Sequence, residues 1–215
     1  MTTALSAAER WGHEEVVLLR DPASGLRGVI AIHDTTLGPA VGGTRMRPYP
    51  SLDAAVMDAL RLSRAMTYKA VMAGVDRGGG KAVIIGDPAR DKSRPLLAAY
   101  ARAVNRLDGR FHTGCDMGIE PRDVSVLSRL TKHVSHTPRD AVLDTAALAA
   151  LGVTESIQAA ANRLGLSMRG LRVAVQGVGQ VGSRVARRLA GEGARLVVCD
   201  PDASRVDRLR AELAA

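Results

Sequence analysis

The sequence predicts an α/β protein in which an N-terminal α/β domain precedes a partial Rossmann-type, doubly wound domain. Two observations predict this class. Short apolar strands alternate with amphipathic helices along most of the 215 residues, which is typical of sheets covered by helices. Near the C-terminus, a glycine-rich turn joins an apolar strand to a helix, as in dinucleotide-binding domains. We expect the domains to span residues 1–140 and 141–215, with the boundary in a polar stretch.

The N-terminal domain is predicted to begin with two strands, at 15–21 and 26–34, joined by a tight turn. Glycine and proline residues at 37–50 indicate a turn-rich stretch. Ser51 is expected to cap a helix that runs to about residue 70, because apolar residues recur there at helical spacing. The later elements predicted for this domain are a loop at 74–80, a strand at 82–85, a loop at 86–92, a helix at 93–107, a strand at 110–115 and a helix at 121–130.

The C-terminal domain is predicted to alternate helix and strand with short connections, which indicates a parallel sheet. Its expected elements are a helix at 145–164, a strand at 171–176, a helix at 180–191, a strand at 195–199 and a helix at 202–214.

Composition excludes several classes of function. The net charge is +8, but the basic residues are dispersed and aromatic residues make up 2%, so we expect no nucleic-acid partner. No apolar run is long enough to cross a bilayer, so no membrane association is expected. The N-terminus lacks the layout of a signal peptide. Cys115 and Cys199 have no metal-ligand spacing, which favours a reduced, cytoplasmic protein without a metal site.

The dinucleotide motif follows the strand at 171–176. In G-x-G-x-x-G, Gly177 permits the tight turn, Gly179 lets the backbone approach a pyrophosphate, and Gly182 lets the helix pack on the strand. Gln180 and Val181 lie between the last two glycines and are expected to contact the cofactor. A glycine turn that only packs a helix, in another kind of α/β protein, is the alternative.

An acid at the end of the next strand indicates which cofactor would bind. Asp200 follows Gly177 by 23 residues, where a carboxylate would hold the ribose 2′-hydroxyl of NAD. Arg205 lies close downstream and could instead accept the 2′-phosphate of NADP. We expect NAD to be the cofactor.

Lysine is scarce in this chain. Of its 30 basic residues, 26 are arginine. Since lysine can lose its proton when buried and arginine effectively cannot, a lysine in this chain is a mild indication that arginine would not serve at that position. For Lys92 and Lys132, which are interpreted as surface residues, chance retention of the codon stays the alternative. The other two, Lys69 and Lys81, are candidates for a functional site.

Lys81 follows three glycines and begins an apolar strand, so it is expected to be desolvated and to lose its proton readily. Lys69 ends the long helix and could bind a carboxylate. Asp116, at the end of the strand at 110–115, could face the same cleft and carry protons. The structural alternative stays open: Lys69 would cap its helix, Lys81 would lie on a surface loop, and Asp116 would be an N-cap.

Several segments together resemble the amino-acid dehydrogenase family that includes glutamate, leucine, phenylalanine and valine dehydrogenases, and they are most similar to the leucine/phenylalanine/valine branch. They are GLRGVIAIHDTTLGPAVGGTRM (25–46), DALRLSRAMTYKAVMAGVDRGGGKAVIIGDP (58–88), TGCDMG (113–118) and the glycine turn GVGQVG (177–182).

The resemblance implies a homo-oligomeric oxidoreductase that uses NAD to deaminate an apolar L-amino acid reversibly to the 2-oxo acid and ammonia. Lys69 would bind the substrate carboxylate together with backbone of Gly42 and Gly43. Lys81 would activate the attacking water, and Asp116 would exchange protons with the amino nitrogen. The first domain would serve in dimerisation and substrate binding.

Three further expectations follow from the resemblance. Gly114 would lie at the side-chain end of the pocket and leave room for a bulky apolar substrate. Ala149 stands where the family is expected to have a threonine that helps hold the cofactor. Family chains are also considerably longer, so we expect this chain alone to be a poor or inactive dehydrogenase; a non-catalytic remnant that acts as an oligomerisation or nucleotide-binding module is the alternative.

Overall fold

The computed structural model describes residues 4–135 and 144–214. The chain forms two compact units, Met1–Ala141 and Val142–Ala215, which are considered separately below. The predicted domain boundary at 140/141 lies outside the described residues. Within the described ranges, no helix combines the length and the apolar character needed to cross a membrane.

The first unit contains a mixed five-stranded sheet in the order β1-β2-β4-β3-β5. Strand β1 pairs antiparallel with β2, and β2 pairs antiparallel with β4, whereas β3 runs parallel to both β4 and β5. This order places β4 and β3 at the centre of the sheet. The strands are β1 (Glu15–Asp21), β2 (Leu26–Asp34), β3 (Ala40–Arg47), β4 (Gly78–Ile85) and β5 (Phe111–Gly114).

Helices cover both faces of this sheet. The even residues Ala82 and Ile84 of β4 pack in a cluster with α3 and α4, whereas Val83 packs in a second cluster with α1 and α2. The side chain of Ser51 accepts from the N–H of Ala54, which confirms the predicted cap. The helices are α1 (Ala4–Trp11), α2 (Leu52–Met72), α3 (Arg94–Asn105) and α4 (Pro121–Leu127).

Two sequence expectations are wrong in this unit. Residues 40–47, expected to form turns, are the central parallel strand β3, and the expected loop at 74–80 ends early because β4 begins at Gly78. The glycines responsible serve close packing instead of turns. A Cβ at Gly42 would overlap the carbonyl oxygen of Gly80, so β3 and β4 approach each other closely only without a side chain.

The second unit contains the parallel pair β6 and β7, in which Val173 is in register with Leu196. Apolar side chains of α5 and α6 form one cluster against this pair, and Val178, Ala186 and Leu209 form another with α7. The elements are α5 (Thr145–Arg163), β6 (Arg172–Gln176), α6 (Gly182–Gly191), β7 (Arg195–Cys199) and α7 (Ala203–Ala214).

Candidate active site

Lys81 is buried in the central strand β4. Its side chain is 8% exposed, and strand alternation places it on the same face as Val83, toward α2. The three preceding glycines are buried strand residues as well. Lys81 is therefore not the surface loop residue that the structural alternative required.

Asp116 lies directly beside Lys81. Its Oδ2 atom is 2.7 Å from Lys81 Nζ and accepts a hydrogen bond from Arg45 Nε at 3.0 Å. Asp116 follows β5, and the strand between β5 and β4 is β3, which carries Arg45. Three neighbouring strands thus bring two cations to one carboxylate oxygen.

Arg45 also reaches helix α2. Its Nη1 donates to Asp58 Oδ2 at 3.1 Å, and Tyr49 Oη donates to the same oxygen at 2.6 Å. No role for Arg45 follows from the sequence motifs alone. In a strand, alternate residues share a face, so Arg45 lies on the same face of β3 as Gly43. This relation could have indicated a role for Arg45 in the site, but the sequence of residues 37–50 indicates turns.

Burial by itself would raise the pKa of the Asp116 carboxyl group. The hydrogen bond and charge of Lys81, the N–H of Met117 and the charge of Arg45 outweigh burial, so the pKa lies below its usual range. Asp116 is therefore a carboxylate at neutral pH, held between two cations.

Glycines allow the backbone to close around this pair. A Cβ at Gly43 would overlap the carbonyl oxygen of Cys115 and would lie 3.0 Å from Asp116 Cβ. Gly114 is buried at the end of β5, in register with Gly43. The backbone of β3 can thus approach the segment that contains Asp116. The glycines predicted to bind substrate lie next to the charged pair.

Lys69 lies in the last turn of α2 and is exposed. No described residue forms an ion pair with it, in contrast to Lys81. The same end of α2 packs closely on β4. A Cβ at Gly79 of β4 would overlap the side-chain oxygen and the backbone nitrogen of Thr67. The structure therefore brings Lys81 and Asp116 into contact and leaves Lys69 with an uncompensated charge at the end of the neighbouring helix.

A buried hydroxyl cluster supports the opposite face of β3. Thr44 Oγ1 hydrogen-bonds with Thr113 Oγ1 at 2.6 Å and with Tyr100 Oη, and all three residues are buried. Burial raises the pKa of Tyr100 to about 12, so the phenol is neutral. These bonds join β3, β5 and α3 beneath the charged pair and make its strands a rigid support.

Lys92, interpreted from the sequence as a surface residue, is in fact largely buried. Its Nζ donates to Asp123 Oδ2 at 2.6 Å and to the carbonyl oxygen of Gly118 at 3.0 Å. Asp123 Oδ2 also accepts from the N–H of Glu120. A lysine side chain is long and ends in a compact ammonium group, so it can enter this narrow site. Its bond to the Gly118 carbonyl oxygen stabilises the segment that follows Asp116.

The glycine turn of the second unit has the features expected for binding a dinucleotide. Gly177 has φ of +87°, and a Cβ at Gly182 would overlap the Gly177 carbonyl oxygen. Among the described residues, the backbone N–H groups of Gly179, Gln180 and Val181 have no hydrogen-bond partner. They lie just before α6, where phosphate oxygens are commonly bound.

Asp200 lies at the end of β7, as the sequence predicted, and holds the turn. Its Oδ2 accepts from the N–H of Val178 at 2.9 Å, and Oδ1 accepts from the N–H of Asp202 at 2.9 Å. These bonds lower the pKa of Asp200, the Asp202 bond most strongly. Arg205 Nη1 lies 3.9 Å from Asp200 Oδ2.

A cavity of about 280 Å³ opens beside this turn. It is lined by turn residues, by Arg205 and Arg208, and by Arg187 with its ion-pair partner Glu212, so it combines free backbone donors with charged side chains. No group of three or more His, Cys, Asp or Glu side chains that could hold a metal ion occurs in the part of the chain described.

Comparison with known proteins gives consistent matches over both units. The family profile described as Glu/Leu/Phe/Val dehydrogenase, dimerisation domain, matches residues 13–133, and the profile described as Glutamate/Leucine/Phenylalanine/Valine dehydrogenase matches residues 142–205.

Individual relatives agree with the profiles. The chain is 44% identical over 214 residues to a phenylalanine dehydrogenase of Thermoactinomyces intermedius, covering 98% of this chain and 58% of the relative. It is 46% identical over 205 residues to a valine dehydrogenase of Streptomyces virginiae, covering 94% and 57%. The crystal structure of L-tryptophan dehydrogenase from Nostoc punctiforme superposes with a TM-score of 0.70 at 42% identity, covering 98% of this chain and 60% of that one. The chain thus spans somewhat more than half the length of the relatives it matches.

Proposed function

The chain belongs to the Glu/Leu/Phe/Val dehydrogenase family, and from this membership we propose that it takes part in the NAD-dependent, reversible oxidative deamination of an apolar L-amino acid to the 2-oxo acid and ammonia. The observation that carries the proposal is the buried contact between Lys81 and Asp116. A buried amine beside a carboxylate is suited to moving protons.

Substrate binding is proposed for the surroundings of this pair. Lys69 holds the substrate carboxylate, because it is exposed, its charge has no partner among the described side chains, and a carboxylate is the complementary group. Backbone of Gly42 and Gly43 completes the carboxylate site. Gly114 adds no side chain to the pocket, which leaves space for a bulky apolar substrate.

Proton transfer is proposed for Lys81 and Asp116. In its neutral form, Lys81 Nζ takes a proton from the water that attacks the imino carbon, and Asp116 exchanges protons with the amino nitrogen of the substrate. A proton can pass between them along the 2.7 Å contact of Nζ and Oδ2. The lowered pKa of Asp116 keeps it able to accept a proton at neutral pH.

The family's enzymes depend on NAD or NADP, and NAD is the proposed cofactor here. Gly177, Gly179 and Gly182, with the N–H groups of Gln180 and Val181, hold the pyrophosphate, while Asp200 holds the ribose 2′-hydroxyl. The chemistry that NAD supplies is acceptance of a hydride from the substrate Cα.

Two further properties are proposed. The match of residues 13–133 to a dimerisation domain supports a homo-oligomer. The two cysteines, Cys115 and Cys199, are both exposed free thiols, which supports a reducing, cytoplasmic location.

The proposal is tested by binding and turnover together. NADH and the 2-oxo acids of leucine, valine and phenylalanine are titrated calorimetrically into the chain, and NAD reduction with the three amino acids is followed by absorbance, both for the chain and for a full-length protein that contains it. Gly182→Val is the control for NADH binding, because its side chain would collide with Gly177. Turnover that requires Lys81 supports the proposal. Absence of turnover in the full-length protein contradicts it, and binding without turnover would indicate a binding module.

A further inference from the structure

Arg45 lies between two carboxylates. Its Nε donates to Asp116 Oδ2 at 3.0 Å and its Nη1 to Asp58 Oδ2 at 3.1 Å, and its side chain is largely buried. A guanidinium group is planar and its donors have fixed directions, so it can hold two carboxylates at a set separation, which a lysine ammonium cannot do. Arg45 therefore fixes the position of Asp116 relative to α2.

Asp116 Oδ2 is shared between Arg45 and Lys81. When Lys81 gives up its proton, the carboxylate loses one of its two positive partners. Arginine is effectively never deprotonated in proteins, so Arg45 remains as the other partner. The carboxylate is thus held in place, and its ionised form is favoured, in both protonation states of Lys81.

We propose that Arg45 is a positioning residue for the reaction, which holds Asp116 beside Lys81 throughout the proton transfers and ties that carboxylate to the helix that binds substrate. The inference rests on the proposed function. Asp58 and Lys69 lie on the same side of α2, because eleven residues correspond to about three helical turns. Arg45 thus links the proton carrier to the helix that carries the substrate-binding lysine.

The charges around Asp116 agree with this role. Lys81 faces it from β4 and Arg45 from β3, Asp58 lies behind Arg45 on α2, and the Cys115 thiol precedes it in the chain. The pKa of the Arg45 guanidinium is raised: burial would lower it, but the charges of Asp116 and Asp58 outweigh burial. Arg45 is therefore a permanent cation between two acidic side chains.

The first test uses the chain as it stands. The pKa of Asp116 is measured by following the NMR shift of its carboxyl carbon with pH in the wild type and in Arg45→Gln. A third protein, Arg45→Lys, keeps the positive charge but loses the planar group that donates to two carboxylates at once. We expect the pKa of Asp116 to rise in Arg45→Gln and to rise less in Arg45→Lys. Arg90→Gln removes an exposed arginine that pairs with Asp87 and is the matched control, for which no change is expected. An unchanged titration in Arg45→Gln would overturn the proposal.

The second test uses a full-length protein that contains the chain. In Arg45→Gln, we expect the acid limb of the pH profile to move up, so that kcat measured at a pH on that limb falls roughly 10-fold for each pH unit of the shift, because below its pKa the ionised fraction of a carboxyl group changes tenfold per unit. KM for the amino acid should change little, because Lys69 remains. Normal turnover with an unshifted profile would overturn the positioning role alone. A wild-type protein without turnover would overturn the proposed function as well, while the NMR titration would still report whether Arg45 and Asp116 are coupled.

Discussion

Lys81 Nζ lies 2.7 Å from Asp116 Oδ2 although a whole strand separates the elements that carry them. Lys81 belongs to β4 and Asp116 follows β5, with β3 between. Gly43 of β3 leaves room for the contact, because a Cβ at this position would overlap the Cys115 carbonyl oxygen and would lie 3.0 Å from Asp116 Cβ. Gly43 therefore affects the geometry of a pair to which it contributes no functional group.

Replacement of Lys81 tests its proposed role as a base. In a full-length protein that contains this chain, Lys81→Ala should lower kcat by about 100- to 10,000-fold, as loss of a positioned base typically does. Lys81→Arg should fail similarly, because arginine keeps its proton near neutral pH. Lys132→Ala, at an exposed lysine, is the control in the same steady-state assay. Turnover that survives in Lys81→Ala would eliminate the base role.

Gly42→Ala should destabilise the first unit. The added Cβ would overlap the Gly80 carbonyl oxygen inside the sheet, and overpacking of this kind costs about 1–3 kcal/mol or more of unfolding free energy. Urea unfolding followed by circular dichroism measures the change. Gly152→Ala is the matched control, because no atom lies within 4 Å of its Cβ and a helical alanine should stabilise α5 by about 0.5–1 kcal/mol. Equal stability of wild type and Gly42→Ala would contradict the close approach.

Lys92→Met should also be strongly destabilising. It leaves the buried Asp123 carboxylate without its cation, and breaking a buried ion pair in this way costs about 3–5 kcal/mol. Adding Asp123→Leu should recover part of the loss, although the capping bond to Glu120 is then missing. A double-mutant cycle from chemical unfolding gives the coupling. Strict additivity of the two changes would show that the pair contributes nothing as a pair.

His13 should make the stability of the protein depend on pH. Burial lowers its pKa, and Nδ1 is buried without a hydrogen-bond partner in the described ranges. Since the unfolded chain then takes up the proton first, unfolding free energy should decrease as pH falls below about 6.5. In His13→Gln, which keeps a donor for the Leu60 carbonyl, the slope between pH 7 and 5 should be smaller. Burial also lowers the pKa of His112, so the part of the pH dependence that is due to His112 should remain in the variant. An identical slope in wild type and variant would refute the contribution of His13.

Cofactor preference should depend on Asp200 and Arg205. Asp200→Asn removes the charge that repels a 2′-phosphate, so affinity for NADPH should rise relative to NADH. Arg205→Ala should have the opposite effect, because Arg205 Nη1 lies 3.9 Å from Asp200 Oδ2 and lines the cavity beside the turn. Calorimetric titration of both cofactors into the chain measures the ratio. If neither variant changes the ratio of NADPH to NADH affinity, the 2′ group of the cofactor does not bind at Asp200 and Arg205.

The sequence predicts local elements and motifs well where a short-range pattern is sufficient. Ser51 caps α2 as expected, and Asp200 directly follows β7 as expected. It fails where the reason is a contact with distant backbone. The glycines of β3 and β4 indicate turns locally, yet they are strand residues because β3 and β4 pack closely together.

The charged residues of the site show the same limit. The scarcity of lysine singled out Lys81, but it gave no reason to expect that Lys92 is buried, since its partner Asp123 lies 31 positions away. Arg45 could not be distinguished from the other arginines, because its role follows from two carboxylates on separate elements. Pairing across elements is information that a linear pattern does not carry.

The triplet Gly78–Gly80 also has a genetic consequence. Each of these residues packs against a different neighbour, the loop that follows β2, Thr67 of α2 or Phe111 of β5. Every missense change in their three codons introduces at least a Cβ, and each would push on a separate part of the first unit. Only synonymous changes should therefore be neutral here, and a saturation library should be depleted over three adjacent codons for three unrelated reasons.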